Sequence, residues 1–169
     1  MTLLTPAATM RLGELAASAP AVRRALGDRF AFIEASLVEE DKRTDDRPAE
    51  RRLANATFYS YSRNVAVRAL LREGEVIEVS DVEGYQPPES PDEIERAVAL
   101  ARGEPQLREA ASKLEGRALL TEPDEGQPGA GHRVLYVSFM APGTGLAEMF
   151  ALVDLTDNRV LEAGRVAGG

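Results

Sequence analysis

A repeat spaced at about half the chain length constrains this sequence more than any other feature. Pro20 opens the helical stretch AVRRAL, and Pro105 opens QLREAA 85 residues later. VAVRALLREGEVIEV from Val65 is answered by MFALVDLTDNRVLEA from Met149, with the turn residues Gly74 and Asn158 84 residues apart. Two motifs that keep one spacing mark a single structural unit used twice. The chain is therefore read as a tandem pair, residues 1–86 and 87–169.

The 169 residues, 44% of them apolar, are enough for one ordinary domain or for two small units sharing a core. With 28 acidic and 20 basic residues, the formal charge of −8 has the wrong sign for neutralising a phosphate backbone. Basic residues are interleaved with acids, as at Glu50 to Arg52 and Arg72 to Glu75, and no polybasic segment offers itself to an anionic membrane. Nucleic acid and membrane are thus not expected partners. Cysteine is absent, which removes disulfides and thiolate ligation and fits a reducing compartment. The first twenty residues carry no basic leader, and Pro6 interrupts their short apolar run, so no signal peptide is read. No apolar stretch approaches the roughly 18 residues of a membrane span. The expectation is a soluble, cytoplasmic protein.

In the first unit, Pro6 to Leu26 carries Met10, Leu12, Leu15, Val22 and Leu26 at helical spacings, with Pro20 restarting the helix. RFAFIEASLVEE from Arg29 places Phe30, Phe32 and Leu37 on a strand, and the charged stretch Asp41 to Arg51 reads as a surface loop. LANATFYSYS alternates small or polar residues with aromatics. Val65 to Leu71 and Val76 to Val82 then make a hairpin over Glu73 and Gly74. Its second turn position needs positive φ, which glycine supplies there and which Asn158 is expected to supply in the same two-residue role later.

The second unit follows YQPPESPDEI. Ser90 is placed to cap a helix opening at Pro91, and Glu93 has capping-box spacing. Ile94, Val98 and Ala101 recur at helical intervals, Gly103 ends the helix, and Pro105 starts a short successor helix through Leu114. Strands follow at Arg117 to Thr121, His132 to Met140, Met149 to Leu155 and Val160 to Val166, with EPDEGQPGAG between the first two. Each half reads as a broken helix and then four strands. The expected class is α+β: two tandem cystatin-like units, each with its helix packed on one face of a four-stranded antiparallel sheet.

The hairpin from Val65, the GYQPPESPDEI connection and ALARGEPQLREAASKL together resemble the small amino-terminal domains of copper amine oxidases. VDLTDNRVLEAGRV from Val153 is similar to the same domains. The resemblance implies two successive non-catalytic domains of an enzyme whose catalytic β-sandwich lies elsewhere. It also implies that catalysis uses topaquinone, formed from a tyrosine, together with copper held by three histidines and an aspartate base. This chain has one histidine, and its tyrosines stand in the contexts FYS, SYS, GYQ and LYV, none of which matches the cofactor motif. No catalytic, cofactor-binding or metal-binding residue carries over.

His132 in GHRVLY is read as exposed or locally hydrogen-bonded, with no assigned role. The acids Glu39 to Asp41 and Asp45 to Asp46 lack the ligand alternation and turn glycine of a calcium loop. APGTGLAEM, with Gly143 and Gly145, has no lysine after it and joins strands, so it reads as a hairpin loop and not a phosphate cradle. Tyr59 and Tyr61 share a strand face opposite Phe58, and with Tyr85 they are the candidate partner contacts, since tyrosine combines contact area with a polar tip. Glu34, Asp81 and Asp154 are the carboxylates whose burial in a pocket would point instead to a free-standing enzyme.

Two readings follow. In the first, the chain is a non-catalytic accessory subunit of an amine oxidase, similar to the second subunit of a bacterial tyramine oxidase. Its partner chain would carry copper and topaquinone and deaminate a primary amine oxidatively. In the second, the chain is a stand-alone cystatin-like module that binds a peptide or small ligand, alone or as a homo-oligomer such as a dimer.

Overall fold

A computed structural model describes residues 4–38, 48 and 51–166. The acid groups Glu39 to Asp41 and Asp45 to Asp46, with most of the Asp41 to Arg51 stretch, lie outside the described residues. The chain divides into two units, Met1–Pro88 and Glu89–Gly169. Each runs from helix into a four-stranded antiparallel meander, so the class is α+β.

In the first unit, helix α1 spans Pro6–Ser18 and α2 spans Pro20–Leu26. Thr5 caps α1 by accepting a hydrogen bond from the Ala8 amide at 3.2 Å, and Pro6 fills a position whose missing N–H has no intrahelical partner anyway. Ala19, held extended at ψ 131° ahead of Pro20, breaks the helix in two, because a residue before proline is pushed out of the helical region. Strands β1 (Phe30–Leu37), β2 (Ala54–Ser60), β3 (Val65–Arg72) and β4 (Glu75–Val82) form a sheet in chain order.

The helices bury Leu12, Ala16, Val22 and Leu26 against Leu37, Ala54, Ala56, Phe58, Val67, Ala69 and Leu71. Each fully buried leucine or phenylalanine is worth about 1.5–3 kcal/mol over leaving it in water. Met10 and Leu15 do not join this core. Both are exposed, because the buried stripe of α1 runs through Ala8, Leu12, Gly13 and Ala16. Close approach of helix to sheet depends on Gly13, where an added Cβ would stand 2.7 Å from the Phe32 ring. Phe32 and Leu37 both reach this core although simple alternation puts them on opposite faces. A bulge between Phe32 and Glu34 reverses the phase of the strand.

In the second unit, α3 spans Pro91–Gly103, and β5 (Glu115–Thr121), β6 (Val134–Met140), β7 (Ala147–Asp154) and β8 (Arg159–Arg165) form the second sheet in chain order. The α3 helix lies against all four strands. Gly116 admits it, since a Cβ there would stand 2.6 Å from Val98 Cγ1.

The successor helix expected from Pro105 to Leu114 is corrected to a series of turns ending in a 3-10 helix at Ala110–Lys113. Its backbone mixes i−3 bonds (Leu107 N–H to Glu104 O, Leu114 N–H to Ala111 O) with i−4 bonds (Arg108 to Glu104, Ala111 to Leu107), so no regular α-turn propagates. Leu107 and Ala111 are nevertheless buried.

Glu73 (φ 52°) and Gly74 (φ 81°) make the two-residue turn between β3 and β4. Asn158 has the expected positive φ, 57°, but it ends a four-residue turn, 155–158, and not a two-residue one. That turn has the form of 61–64 between β2 and β3, which ends at Asn64 with φ 53°. In both, the residue before the turn accepts a hydrogen bond from the amide three residues on: Ser60 Oγ from Arg63 at 3.2 Å, and Asp154 Oδ1 from Asp157 at 3.0 Å.

Candidate functional site

Among the described residues, a dense polar arrangement lies in the second unit, where the start of α3, the two residues preceding β6 and the 155–158 turn converge. Ser90 and Glu93 form the expected capping box: the Glu93 amide donates to Ser90 Oγ at 3.3 Å, and the Ser90 amide donates to Glu93 Oε2 at 2.9 Å. The same carboxylate receives the Arg133 guanidinium, Nε to Oε1 at 2.9 Å and Nη2 to Oε2 at 2.8 Å. Both side chains are buried. A negative group at a helix N-terminus also meets the positive end of the helix dipole. The Arg133 backbone is fixed as well, its amide donating to Thr156 Oγ1 at 3.0 Å and its carbonyl accepting from the Leu155 amide at 2.9 Å. From α3, Arg96 Nε donates to Asn158 Oδ1 at 3.0 Å and holds the far end of the turn.

His132 precedes this arginine. Its Nδ1 stands 2.8 Å from Asp154 Oδ2 and 3.9 Å from Asp157 Oδ2, and Arg159 Nη2 is 3.3 Å from that same Asp157 oxygen. Asp154 is fully buried. Among the described residues, His132, Asp154 and Asp157 are the group of side chains placed to hold a metal ion, their ligand atoms lying within 4.8 Å of one another. The sequence flagged Asp154 as a carboxylate to watch and gave His132 no partner. The pairing spans 22 residues, and it depends on the 155–158 turn returning Asp154 and Asp157 to the start of β6.

The other flagged carboxylates lie elsewhere. Glu34 is exposed. Asp81 is partly exposed and forks with Arg63, Oδ1 accepting from Nη1 at 2.9 Å and Oδ2 from Nη2. The hydrogen bonds from Arg63, aided by its charge, hold the Asp81 carboxyl below its ordinary value against the opposing effect of desolvation. Arg63 is shifted upward for the same reason.

Of the candidate contacts, Tyr59 and Tyr61 are buried in the first unit. Tyr59 is 1% and Tyr61 4% exposed. The Tyr59 hydroxyl donates to Asn64 Oδ1 at 2.8 Å and accepts from Gln86 Nε2 at 3.3 Å, while the Arg29 guanidinium lies 5.7 Å from the centre of the Tyr61 ring. Burial ties up the polar tips that exposed anchors would offer, and Tyr85 alone of the three stays open to solvent. The APGTGLAEM segment connects β6 to β7 through Gly143 and Gly145, both at positive φ. Among the described residues, no helix is long and apolar enough to cross a membrane.

This fold, two four-stranded antiparallel meanders each led by helix, has a counterpart in part of a solved copper amine oxidase. The chain is similar to a copper-containing benzylamine oxidase from Hansenula polymorpha, with a TM-score of 0.54 and 15% sequence identity over 95% of this chain. It spans 29% of the length of that protein. No protein-family profile matches the chain, and no curated protein matches it.

Proposed function

We propose that this chain is a non-catalytic accessory subunit of a copper amine oxidase, built from two tandem cystatin-like units. The observation that carries this reading is the likeness of fold across 95% of the chain to 29% of a copper amine oxidase. The single histidine supports it, because a three-histidine copper site cannot be assembled from one subunit of this sequence. On this reading the catalytic partner holds copper and topaquinone and converts a primary amine such as tyramine to an aldehyde, reducing oxygen to hydrogen peroxide. The accessory chain stabilises that partner or shapes access to its site in the cytoplasm, and Tyr85, exposed beside the Pro87–Pro88 connection, is its candidate contact.

The test is affinity capture of tagged protein from its native lysate, identification of captured chains by mass spectrometry, and a peroxide-release assay with tyramine. The expected result is a copper amine oxidase chain whose activity depends on, or is altered by, this subunit. Capture without any amine oxidase chain, or activity indifferent to the subunit, overturns the reading.

A further inference from the structure

We propose that His132, Asp154 and Asp157 form a binding site for one divalent transition ion of the Zn²⁺ class, a property that does not rest on the accessory-subunit reading. Two of the three ligand separations are close to what such an ion requires, and all three lie within 4.8 Å. Zinc bonds of about 2.0–2.2 Å in a tetrahedral site place neighbouring ligand atoms about 3.3–3.6 Å apart. The His132 Nδ1 separations from the two aspartate oxygens, 2.8 and 3.9 Å, fall on either side of that spacing. Shifts of about half an ångström in opposite senses would equalise them.

Charge points the same way. Asp154 is fully buried, and a buried ionised carboxylate is hydrogen-bonded and paired with a cation or bound to a metal. Among its contacts in the structure, the Asp157 amide at Oδ1 is a neutral donor, and the imidazole at Oδ2 carries charge only when protonated. Arg159 lies against Asp157 instead. An ion replacing the proton on Nδ1 would neutralise both carboxylates at once. One imidazole with two carboxylates is a donor set suited to zinc and its neighbours, whereas calcium takes six to eight oxygens. Access is open from one side, where the His132 and Asp157 side chains are 33% and 46% exposed, leaving a fourth position to water. The ion has to displace Arg159, which is 60% exposed and can swing into solvent.

Titration calorimetry of the full chain with zinc chloride tests this. The expected result is saturable binding of one ion per chain, weakened at least about tenfold in both H132Q and D157N and not weakened in R159Q. Asp157 is half exposed, so D157N keeps the fold, which circular dichroism would verify, and its loss of affinity reports on ligation. Absence of saturable binding, or equal affinity in wild type, H132Q and D157N, overturns the proposal.

Discussion

The Glu93 carboxylate closes the cap of α3 and receives the Arg133 guanidinium through two hydrogen bonds of 2.9 and 2.8 Å, with both side chains buried. Removing one member leaves the other charged in a dry site. R133M is expected to cost about 3–5 kcal/mol, while E93L/R133M loses less than R133M alone despite the missing cap. Urea unfolding of the single and double variants measures the coupling; additive losses would show that the pair is not coupled.

Gly116 and Val98 set how closely α3 approaches β5. G116A drives a methyl into the stiff, β-branched Val98 side chain and is expected to cost about 1–3 kcal/mol. V98A supplies the room, so G116A/V98A should melt above the temperature obtained by adding the two single losses. Thermal unfolding by circular dichroism decides it.

The Arg63–Asp81 pair gives a small, signed pH dependence. Asp81 is held below its ordinary value in the folded state, so its contribution is present above the unfolded value of about 3.9 and is lost as pH falls through the folded value. Both groups are partly exposed, which limits the contribution to about 1 kcal/mol at most. D81N is therefore expected to be slightly less stable than wild type at neutral pH, with the difference vanishing in acid. Denaturant midpoints across pH report it.

Asn64 combines φ 53° with acceptance of the Tyr59 hydroxyl. N64A loses the hydrogen bond and strains the left-handed backbone, costing roughly 2–3 kcal/mol, whereas N64G keeps the backbone free and loses about 1 kcal/mol. Equal destabilisation of the two variants in urea would show that backbone conformation contributes nothing there.

What the sequence made legible were features carried by local chemistry. Pro20 and Pro91 mark helix starts, Ser90 and Glu93 form the capping box, and Glu73–Gly74 is a two-residue turn, each set by residues within one turn of one another. What it did not show depends on distant partners. The bulge that brings Leu37 to the side of Phe32 exists only in the pairing with β2, and alternation within β1 predicts the opposite. Tyr59 and Tyr61 carry the pattern of a half-exposed face, and only the folded chain covers them. Glu93 was readable as a cap but not as half of an ion pair, and His132 was assigned no partner, because Arg133 and Asp154 lie 40 and 22 residues away respectively. The candidate site is thus a product of topology, with Asp154 its only member flagged in advance as a group whose burial would matter.

Glu93 also ties the start of the second unit's helix to a distant part of the chain. A capping box is ordinarily closed by residues that are already neighbours, but this one uses a carboxylate whose charge is balanced by an arginine 40 residues downstream. The first turn of α3 and the docking of the chain that leads into β6 are therefore coupled through one carboxylate, so the start of this helix rests on a long-range contact. Its Ser90 amide, bonded to that same carboxylate, should exchange with solvent at the slow rate of the sheet and not at the fast rate of a fraying helix end.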